Sequence, residues 1–198
     1  RNGMQYCLNK MHLKVEWKRL LIYYDIILLL NYNKMSGEWS MYTVRKATTN
    51  DVIAIRDVAT KAWYNTYLNI YAVSTINELL AASYNEHHLK KRLEDQLFLV
   101  VEENNEIVGF ANFIYGKELY LAAHYVHPGV QHKGYGTSLL EEGLHEFENE
   151  YDTVFLEVDN KNKEAIHYYQ HHGFEIVRSY QPEMYGEQLD LALMKKVL

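Results

Sequence analysis

A short segment in the second half of the chain combines residue types that bind anions. It reads Gln131, His132, Lys133, Gly134, Tyr135, Gly136 and Thr137, between a strand-like stretch and an amphipathic one. Glycine lets the backbone approach a ligand closely, and the free N–H groups of a helix N-terminus attract phosphate oxygens. Lys133 adds a positive charge beside them. The segment predicts a phosphate-binding turn, and the open alternative is a tight strand-to-helix turn that uses glycine without a ligand.

Two well-known phosphate-binding patterns do not fit this segment. A dinucleotide-binding turn needs a third glycine where Leu139 stands, and an acidic residue at the end of a following strand. The phosphate loop of NTPases needs Gly-Lys-Ser/Thr after four spacer residues, and that pattern is absent from the sequence. The segment therefore indicates a different kind of phosphate site.

The elements that must position this turn alternate between strands and helices. Apolar periodicity predicts strands at 41–47, 97–101, 107–115, 119–126, 153–158, 174–180 and 188–197. Helical spacing follows the cap residues 49–51 and recurs at 74–96, 134–149 and 162–172, with a break near Tyr84. The crossover from Val126 to Thr153 is long enough for a helix, which makes its flanking strands parallel neighbours. The predicted fold class is α/β, a mixed sheet with helices on both faces.

The composition is that of a globular chain and excludes several classes of protein. The 198 residues are 48% hydrophobic and 23% charged, with two prolines and ten glycines, which argues against linkers and disordered tracts. A net charge of −6 argues against nucleic-acid binding, because phosphate contacts need clustered Lys and Arg. The one cysteine, Cys7, excludes a disulfide framework and zinc sites built on cysteine pairs. We therefore expect a cytoplasmic protein.

The first 40 residues differ in kind from the rest. They carry six basic and three acidic side chains, so residues 41–198 hold 14 basic and 23 acidic ones, a net charge of −9. The apolar run 20–32 is shorter than the roughly 18 residues of a spanning helix and contains Asp25, which argues against a membrane anchor. Its residue types are those that random translation of AT-rich DNA yields. We expect the gene product to start at Met41, with 1–40 an N-terminal extension, leader or non-native, and one domain at 41–198.

Two segments give the chain a resemblance to the GCN5-related N-acetyltransferase (GNAT) family. The first is 131–136, which matches the family's pattern Gln/Arg-x-x-Gly-x-Gly/Ala. The second is 156–174, which is similar to the family's succession of a strand, an Asn, Ala-x-x-x-Tyr and Gly-Phe. The resemblance covers Met41 to Leu198 and implies the GNAT fold, a mostly antiparallel twisted sheet whose central parallel strand pair is splayed. It also implies acetyl-CoA as cosubstrate and transfer of its acetyl group to an amine.

The resemblance assigns binding of the cosubstrate to one set of residues. The pyrophosphate would be held by the backbone amides of Gln131, His132, Lys133, Gly134, Tyr135, Gly136 and Thr137. The strand edge near Val126 would bind the pantetheine arm as an added strand, and an N–H there would polarise the thioester carbonyl. Asn162 would contact the cosubstrate at the start of the next helix. We expect no metal site, because His167 and His171 lie four residues apart without an accompanying carboxylate pattern.

The resemblance also assigns a proton donor, whereas the proton acceptor stays open. Tyr169 matches the position where many family members carry a tyrosine that protonates the departing thiolate. A phenol with a pKa of about 10 is neutral at working pH and can supply a proton to sulfur. The alternative is that Tyr169 only packs in the core. An amine must lose a proton before it attacks. The candidate bases, on or beside the two splayed strands, are Glu118, His124 and Glu157.

The acceptor is predicted from charge and from a closer resemblance within the family. A net charge of −9 attracts cations, and the segments 62–67 and 184–191 look like those of bacterial spermidine/spermine acetyltransferases. We expect acetylation of a small-molecule amine, a polyamine first, by direct attack in a ternary complex. The alternatives are a protein N-terminal or lysine acetyltransferase, a non-catalytic CoA-binding module, and a membrane-tethered enzyme if 1–40 is genuine. Many family members pair, so a homodimer is expected, with no nucleic-acid or membrane partner.

Overall fold

A computed structural model describes the backbone of residues 32–35 and 38–198, and side chains from Tyr42 onward. The chain divides into two compact units, Arg1–Thr43 and Val44–Leu198. In the first unit, strand β1 (Tyr32–Met35) pairs antiparallel with the beginning of β2 (Glu38–Lys46). The apolar run before Tyr32 lies outside the described residues, and a gene product that starts at Met41 stays a prediction.

The second unit contains five α-helices and eight strands after β2 among its described residues. The helices are α1 (Val52–Tyr67), α2 (Val73–Tyr84), α3 (Glu86–Asp95), α4 (Tyr135–His145) and α5 (Lys163–His171). The strands are β3 (Leu97–Glu103), β4 (Glu106–Ile114), β5 (Leu119–Val126), β6 (Thr153–Asp159), β7 (Glu175–Tyr180), β8 (Glu183–Met184), β9 (Glu187–Gln188) and β10 (Leu191–Val197).

Six of these strands form one mixed sheet in the order β3, β4, β5, β6, β10, β7. Neighbouring strands pair antiparallel, except that β5 and β6 run parallel at the centre of the sheet. The long crossover that holds α4 joins these two strands, because parallel neighbours need such a connection. The predicted α/β fold, mostly antiparallel with one central parallel pair, is confirmed.

Helices cover both faces of the sheet. On one face α1 packs Ile55 and Val58 against Phe110 of β4 and against its neighbours in β3. On the other face α4 lies so close to β4 that a Cβ at Gly143 would stand 2.1 Å from the ring of Phe113. Phe110 and Phe113 are an odd number of residues apart on one strand, so their side chains point to opposite faces. Together these contacts hold both helices against β4, which is the strand next to the parallel pair on one side.

Most predicted boundaries inside the second unit agree with the structure to within two residues, and two differ by more. The final strand begins at Leu191 and not at Gln188, because Gln188 belongs to the small β8–β9 hairpin and Asp190 accepts hydrogen bonds from the backbone N–H and the side chain of Asn160. Helix α4 ends at His145 and not at Asn149. The chain turns there because Phe147 packs back against Phe113.

Candidate active site

A cleft opens where β5 and β6 stop pairing. The two strands pair over three residues each, Leu119–Leu121 with Val154–Leu156. Beyond this point the following residues of both strands line a cleft of about 900 Å3, together with residues of α1, α4, α5 and the loop before α4. The splay that the resemblance implied is therefore present, and it exposes backbone of two central strands to one cavity.

The loop before α4 presents a helix N-terminus to this cleft. Gly134 is the N-cap of α4 in the left-handed conformation, with φ of 85°, and no side chain caps the helix. His132 also has a positive φ, of 62°. The N–H groups of Gly136 and Thr137 stand in the first turn, ahead of the hydrogen-bond ladder inside the helix, and both residues line the cleft. This arrangement is suited to binding an anion.

The charged side chains of the loop are already engaged. The ammonium of Lys133 lies 3.7 Å from a carboxylate oxygen of Glu103 and 5.9 Å from the ring centre of Tyr135. The exposed imidazole of His132 lies 3.8 Å from the carboxylate of Glu164. Gln131 completes the loop wall. The backbone N–H groups are therefore the main anion donors that the loop offers, and Lys133 adds a charge that Glu103 partly balances.

Val126 and Asn162 both line the cleft, Val126 at the end of β5 and Asn162 at the start of α5. Val126 ends β5 and pairs with Gly109 of β4 on one side, while its other side faces the cleft. Asn162 is the N-cap of α5, and its side-chain oxygen accepts a hydrogen bond of 3.1 Å from the backbone N–H of Ala165. The side chain thus stabilises the start of α5 and lines the cleft at the same time.

Tyr169 points from α5 into the centre of the cleft wall. Its side chain is buried, and its hydroxyl lies 3.3 Å from Nδ1 of His124 on β5. The other ring nitrogen of His124, Nε2, lies 2.9 Å from the carbonyl oxygen of Gly136. Burial raises the pKa of Tyr169 well above its usual range, and desolvation lowers the pKa of His124 to about 4. Both groups are therefore neutral around pH 7.

The other two predicted bases lie in different places. Glu157 is exposed on β6, lines the cleft and accepts a hydrogen bond from the hydroxyl of Tyr180. Glu118 precedes β5 at the end remote from the splay, where the hydroxyl of Tyr120 bonds it and where it lines a separate surface hollow. The structure brings His124, Glu157 and Tyr169 to one cleft, and it does not bring Glu118 there.

Several residues that line or support the cleft form pairs that the sequence did not indicate. The indole N–H of Trp63 on α1 donates a 3.1 Å hydrogen bond to the hydroxyl of Tyr125 on β5. The hydroxyl of Tyr71 donates to Asp159, a buried carboxyl group whose pKa is raised by desolvation. The segment 62–67, noted in the sequence for its resemblance within the family, contributes Ala62, Asn65, Thr66 and Tyr67 to the cleft wall. These pairs join residues 62 and 88 positions apart, and no short motif signals them.

A smaller hollow of about 320 Å3 lies against Ala122, which also lines the main cleft. Its walls include Trp63, Tyr84 and Tyr125. Arg92 also borders it, but its guanidinium donates hydrogen bonds of 2.6 Å to Asn112 and 2.9 Å to the carbonyl of Ser83. The hollow thus combines three aromatic side chains with a cation that neighbouring polar atoms already hold.

Among residues 32–35 and 38–198, three or more His, Cys, Asp or Glu side chains do not come together in a group that could hold a metal ion. None of the helices in those same ranges is both long and apolar enough to cross a bilayer.

Comparisons with known proteins place the chain in a family. The family model for the acetyltransferase (GNAT) family matches residues 53–174. The N-acetyltransferase YuaI of Bacillus subtilis, described as uncharacterized, is 30% identical over 157 residues, which cover 74% of this chain and 83% of that protein. The chain therefore belongs to the acetyltransferase (GNAT) family and is an N-acetyltransferase. The family resemblance of the segments 131–136 and 156–174 is confirmed.

Two further proteins are similar over different lengths. The peptidyl-lysine N-acetyltransferase YiaC of Escherichia coli K12 is 35% identical over 78 residues, which cover 39% of this chain and 49% of that protein. The crystal structure of the PaiA N-acetyltransferase from Thermoplasma acidophilum in complex with coenzyme A matches with a TM-score of 0.69. That match covers 79% of this chain and 99% of the other, at 23% identity, so it bears on the fold alone.

Proposed function

We propose that this N-acetyltransferase takes its acetyl group from acetyl-CoA and transfers it to the amine of a small molecule, with polyamines as the favoured acceptors. One observation carries the proposal: the splay of β5 and β6, the uncapped N-terminus of α4 and the buried hydroxyl of Tyr169 meet in one cleft. The CoA complex of the Thermoplasma protein, which has the same fold, supports the choice of cosubstrate.

The residues of the cleft fit the parts of a CoA thioester. The first-turn N–H groups of α4 suit a pyrophosphate, because they offer several donors at the positive end of a helix dipole. The cleft side of β5 from Ala122 to Val126 offers strand backbone to an extended arm that carries amides. When bound, acetyl-CoA would supply an activated acyl group. The chain's own residues would orient that group and move protons.

Tyr169 is the proposed general acid. Transfer forms a C–N bond, breaks the C–S bond and leaves the electron pair on sulfur, so sulfur needs a proton. The hydroxyl of Tyr169 can donate it because burial keeps the phenol neutral. The phenolate then regains a proton from water, and the proton lost by the amine passes to solvent or to Glu157. Glu157 is an exposed carboxylate in the cleft wall, and its negative charge suits an incoming ammonium group.

The polyamine preference rests on charge and on aromatic surface. Residues 41–198 carry a net charge of −9, and a negative field raises the local concentration of cations. Trp63 and Tyr67, whose ring centres lie 4.6 Å apart, and Tyr125 offer aromatic faces that attract alkylammonium groups. The second candidate is acetylation of lysine in proteins, which the similarity to the E. coli peptidyl-lysine enzyme favours.

Release of CoA thiol tests these possibilities together. The full chain is given acetyl-CoA with polyamines, amino acids and lysine peptides in parallel, and turnover is expected to be fastest with a polyamine. The variant Tyr169→Phe is expected to lower kcat by about 100-fold with little change in KM. Tyr115→Phe, at an exposed tyrosine that follows β4, is the matched control and should behave as the unmodified chain.

Each other outcome points to a different conclusion. Turnover that is fastest with a lysine peptide would replace the small-molecule acceptor by a protein. Binding of acetyl-CoA without release of thiol on any amine would favour a CoA-binding module that does not turn over. Full activity of Tyr169→Phe would remove Tyr169 from the mechanism and leave the acceptor assignment intact.

A further inference from the structure

His124 occupies the point where three elements of the cleft meet. It lies on β5, its Nε2 is 2.9 Å from the carbonyl oxygen of Gly136 in the first turn of α4, and its Nδ1 is 3.3 Å from the hydroxyl of Tyr169 on α5. One imidazole therefore bridges the helix whose N-terminus faces the cleft and the helix that holds the proposed acid. The rings of Tyr168 and Tyr169 pack around it, with centres 5.8 Å and 6.1 Å away.

The partners of His124 fix where its proton lies. A carbonyl oxygen can only accept a hydrogen bond, so Nε2 must carry the hydrogen that it donates to Gly136. A neutral imidazole has one N–H, so Nδ1 then carries a lone pair. The hydroxyl of Tyr169 is the donor that faces this lone pair. The hydrogen-bond direction thus runs from Tyr169 through His124 to the backbone of α4.

We infer that His124 is a positioning residue that holds the Tyr169 hydroxyl in place and in its protonated form, and links it to the first turn of α4. This inference rests on the proposed role of Tyr169 as general acid. The lone pair of Nδ1 favours the phenol over the phenolate, because it accepts from O–H and repels a negative oxygen. When sulfur becomes the stronger acceptor, the hydroxyl turns about its C–O bond and gives its proton to sulfur.

The same geometry argues against His124 as the base that activates the amine. Its Nε2 hydrogen is used by Gly136 and its Nδ1 lone pair by Tyr169, so neither nitrogen is available to an incoming ammonium group. In contrast, Glu157 lies exposed on the cleft wall. His124 is one of the two predicted bases that reach the cleft, and we assign it to supporting Tyr169 and not to accepting the proton of the amine.

The first test is steady-state kinetics of the full chain with acetyl-CoA and the amine that it turns over fastest. His124→Leu, which removes both hydrogen bonds, is expected to lower kcat about 10-fold. His124→Asn places a polar atom near the position of Nδ1 and is expected to recover part of that loss. The double variant with Tyr169→Phe should be no slower than Tyr169→Phe alone, because the two side chains act as one unit.

The matched control is His167→Leu, at an exposed histidine on α5, and it is expected to leave kcat unchanged. If His124→Leu lowers kcat by the same factor with and without Tyr169→Phe, then His124 acts independently of Tyr169, and the inference is wrong.

Nitrogen-15 NMR of the histidine rings tests the inference without turnover. The unmodified chain should show His124 neutral with its proton on Nε2, and Tyr169→Phe should shift the resonance of Nδ1 alone. A proton on Nδ1, or a charged ring at pH 7, would overturn the inference even if the enzyme is active. If no amine is turned over, the proposed function fails, while this spectrum still decides the role of His124.

Discussion

The imidazole of His124 is held neutral inside the cleft wall, which makes folding sensitive to acid. Its pKa is lowered from the usual value of 6.5 to about 4 in the folded chain, because desolvation disfavours the charged ring. The unfolded chain therefore binds a proton at a higher pH than the folded chain does. The resulting stability is fully present above about pH 6.5, falls progressively below that pH, and is lost once the pH has fallen through about 4. The groups around the ring are Tyr168, Tyr169 and His172.

This behaviour gives a prediction for His124→Leu. Between pH 7 and pH 4.5, protonation of this ring in the unfolded chain should lower the unfolding free energy of the unmodified chain by up to about 3 kcal/mol. The variant lacks the ring, so its loss of unfolding free energy over the same pH range should be smaller by that amount. Urea denaturation of both proteins at the two pH values measures the difference. Other groups, such as the Asp51 carboxyl that Arg45 holds at a lowered pKa, titrate equally in both proteins and cancel. Equal losses in the two proteins would contradict the prediction.

For single residues, the sequence predicted which side chains belong to the site but not which other side chains they contact. Tyr169 and His124 were both named from motif position and strand position, yet they lie 45 residues apart and their contact depends on the packing of α5 against β5. His124 was therefore assigned as a base and not as a support for Tyr169. Glu118 was named because it is near the right strand, but a strand has two ends, and it stands at the end away from the splay.

At the scale of elements, α4 carries two glycines with different surroundings. A methyl group at Gly143 would lie 2.1 Å from the ring of Phe113, whereas one at Gly136 would lie 3.5 Å from His124 and 3.7 Å from the hydroxyl of Tyr168. Gly143 therefore permits the close packing of α4 on β4. Gly136 has room for a methyl group in the fold itself and lines the cleft.

The two alanine variants are expected to separate folding from binding. Gly143→Ala should lower the unfolding free energy by about 1–3 kcal/mol, because the ring or the helix must move. Gly136→Ala should fold with nearly unchanged stability but bind acetyl-CoA more weakly, since the methyl group enters the cleft beside the first turn of the helix. Urea denaturation and titration with acetyl-CoA measure both. A Gly143→Ala protein as stable as the unmodified chain would refute the packing argument.

The N-cap of α5 gives another prediction. Asn162→Ala should cost about 1 kcal/mol of unfolding free energy, because the N–H of Ala165 loses its acceptor. Asn162→Asp keeps an acceptor and adds a negative charge at the helix N-terminus, so it should retain the stability. Thermal unfolding of both variants compares them. An unchanged midpoint for Asn162→Ala would show that the cap contributes nothing.

Element prediction succeeded where the apolar pattern was regular. The bounds of β5 match the predicted 119–126, and the break near Tyr84 separates α2 from α3. The β8–β9 hairpin was missed because its strands have two residues each, too short for any alternation to show. Its turn, with positive φ at Tyr185 and Gly186, lies before the predicted strand 188–197 in a segment to which no element was assigned.

At the scale of the whole molecule, the negative charge of residues 41–198 should act on the acceptor. If a polyamine is the acceptor, its KM should rise several-fold between about 0.01 M and 0.15 M salt, because screening shortens the reach of the field. A monoamine, with one charge, should show a smaller rise, and kcat should change little for either. Steady-state kinetics at the two salt concentrations measure this. A KM for the polyamine that does not depend on salt would contradict attraction by net charge.

The three-residue pairing of β5 with β6 has a consequence for how the sheet holds together. On one side of this seam β3, β4 and β5 are joined by long antiparallel ladders, and on the other side so are β6, β10 and β7. Each set can open as a unit of its own, and the three-residue seam is the shortest backbone link between them. A molecule that bridges β5 and β6 would therefore slow hydrogen exchange in both sets at once, so that occupancy of the cleft is recorded in amides far from it.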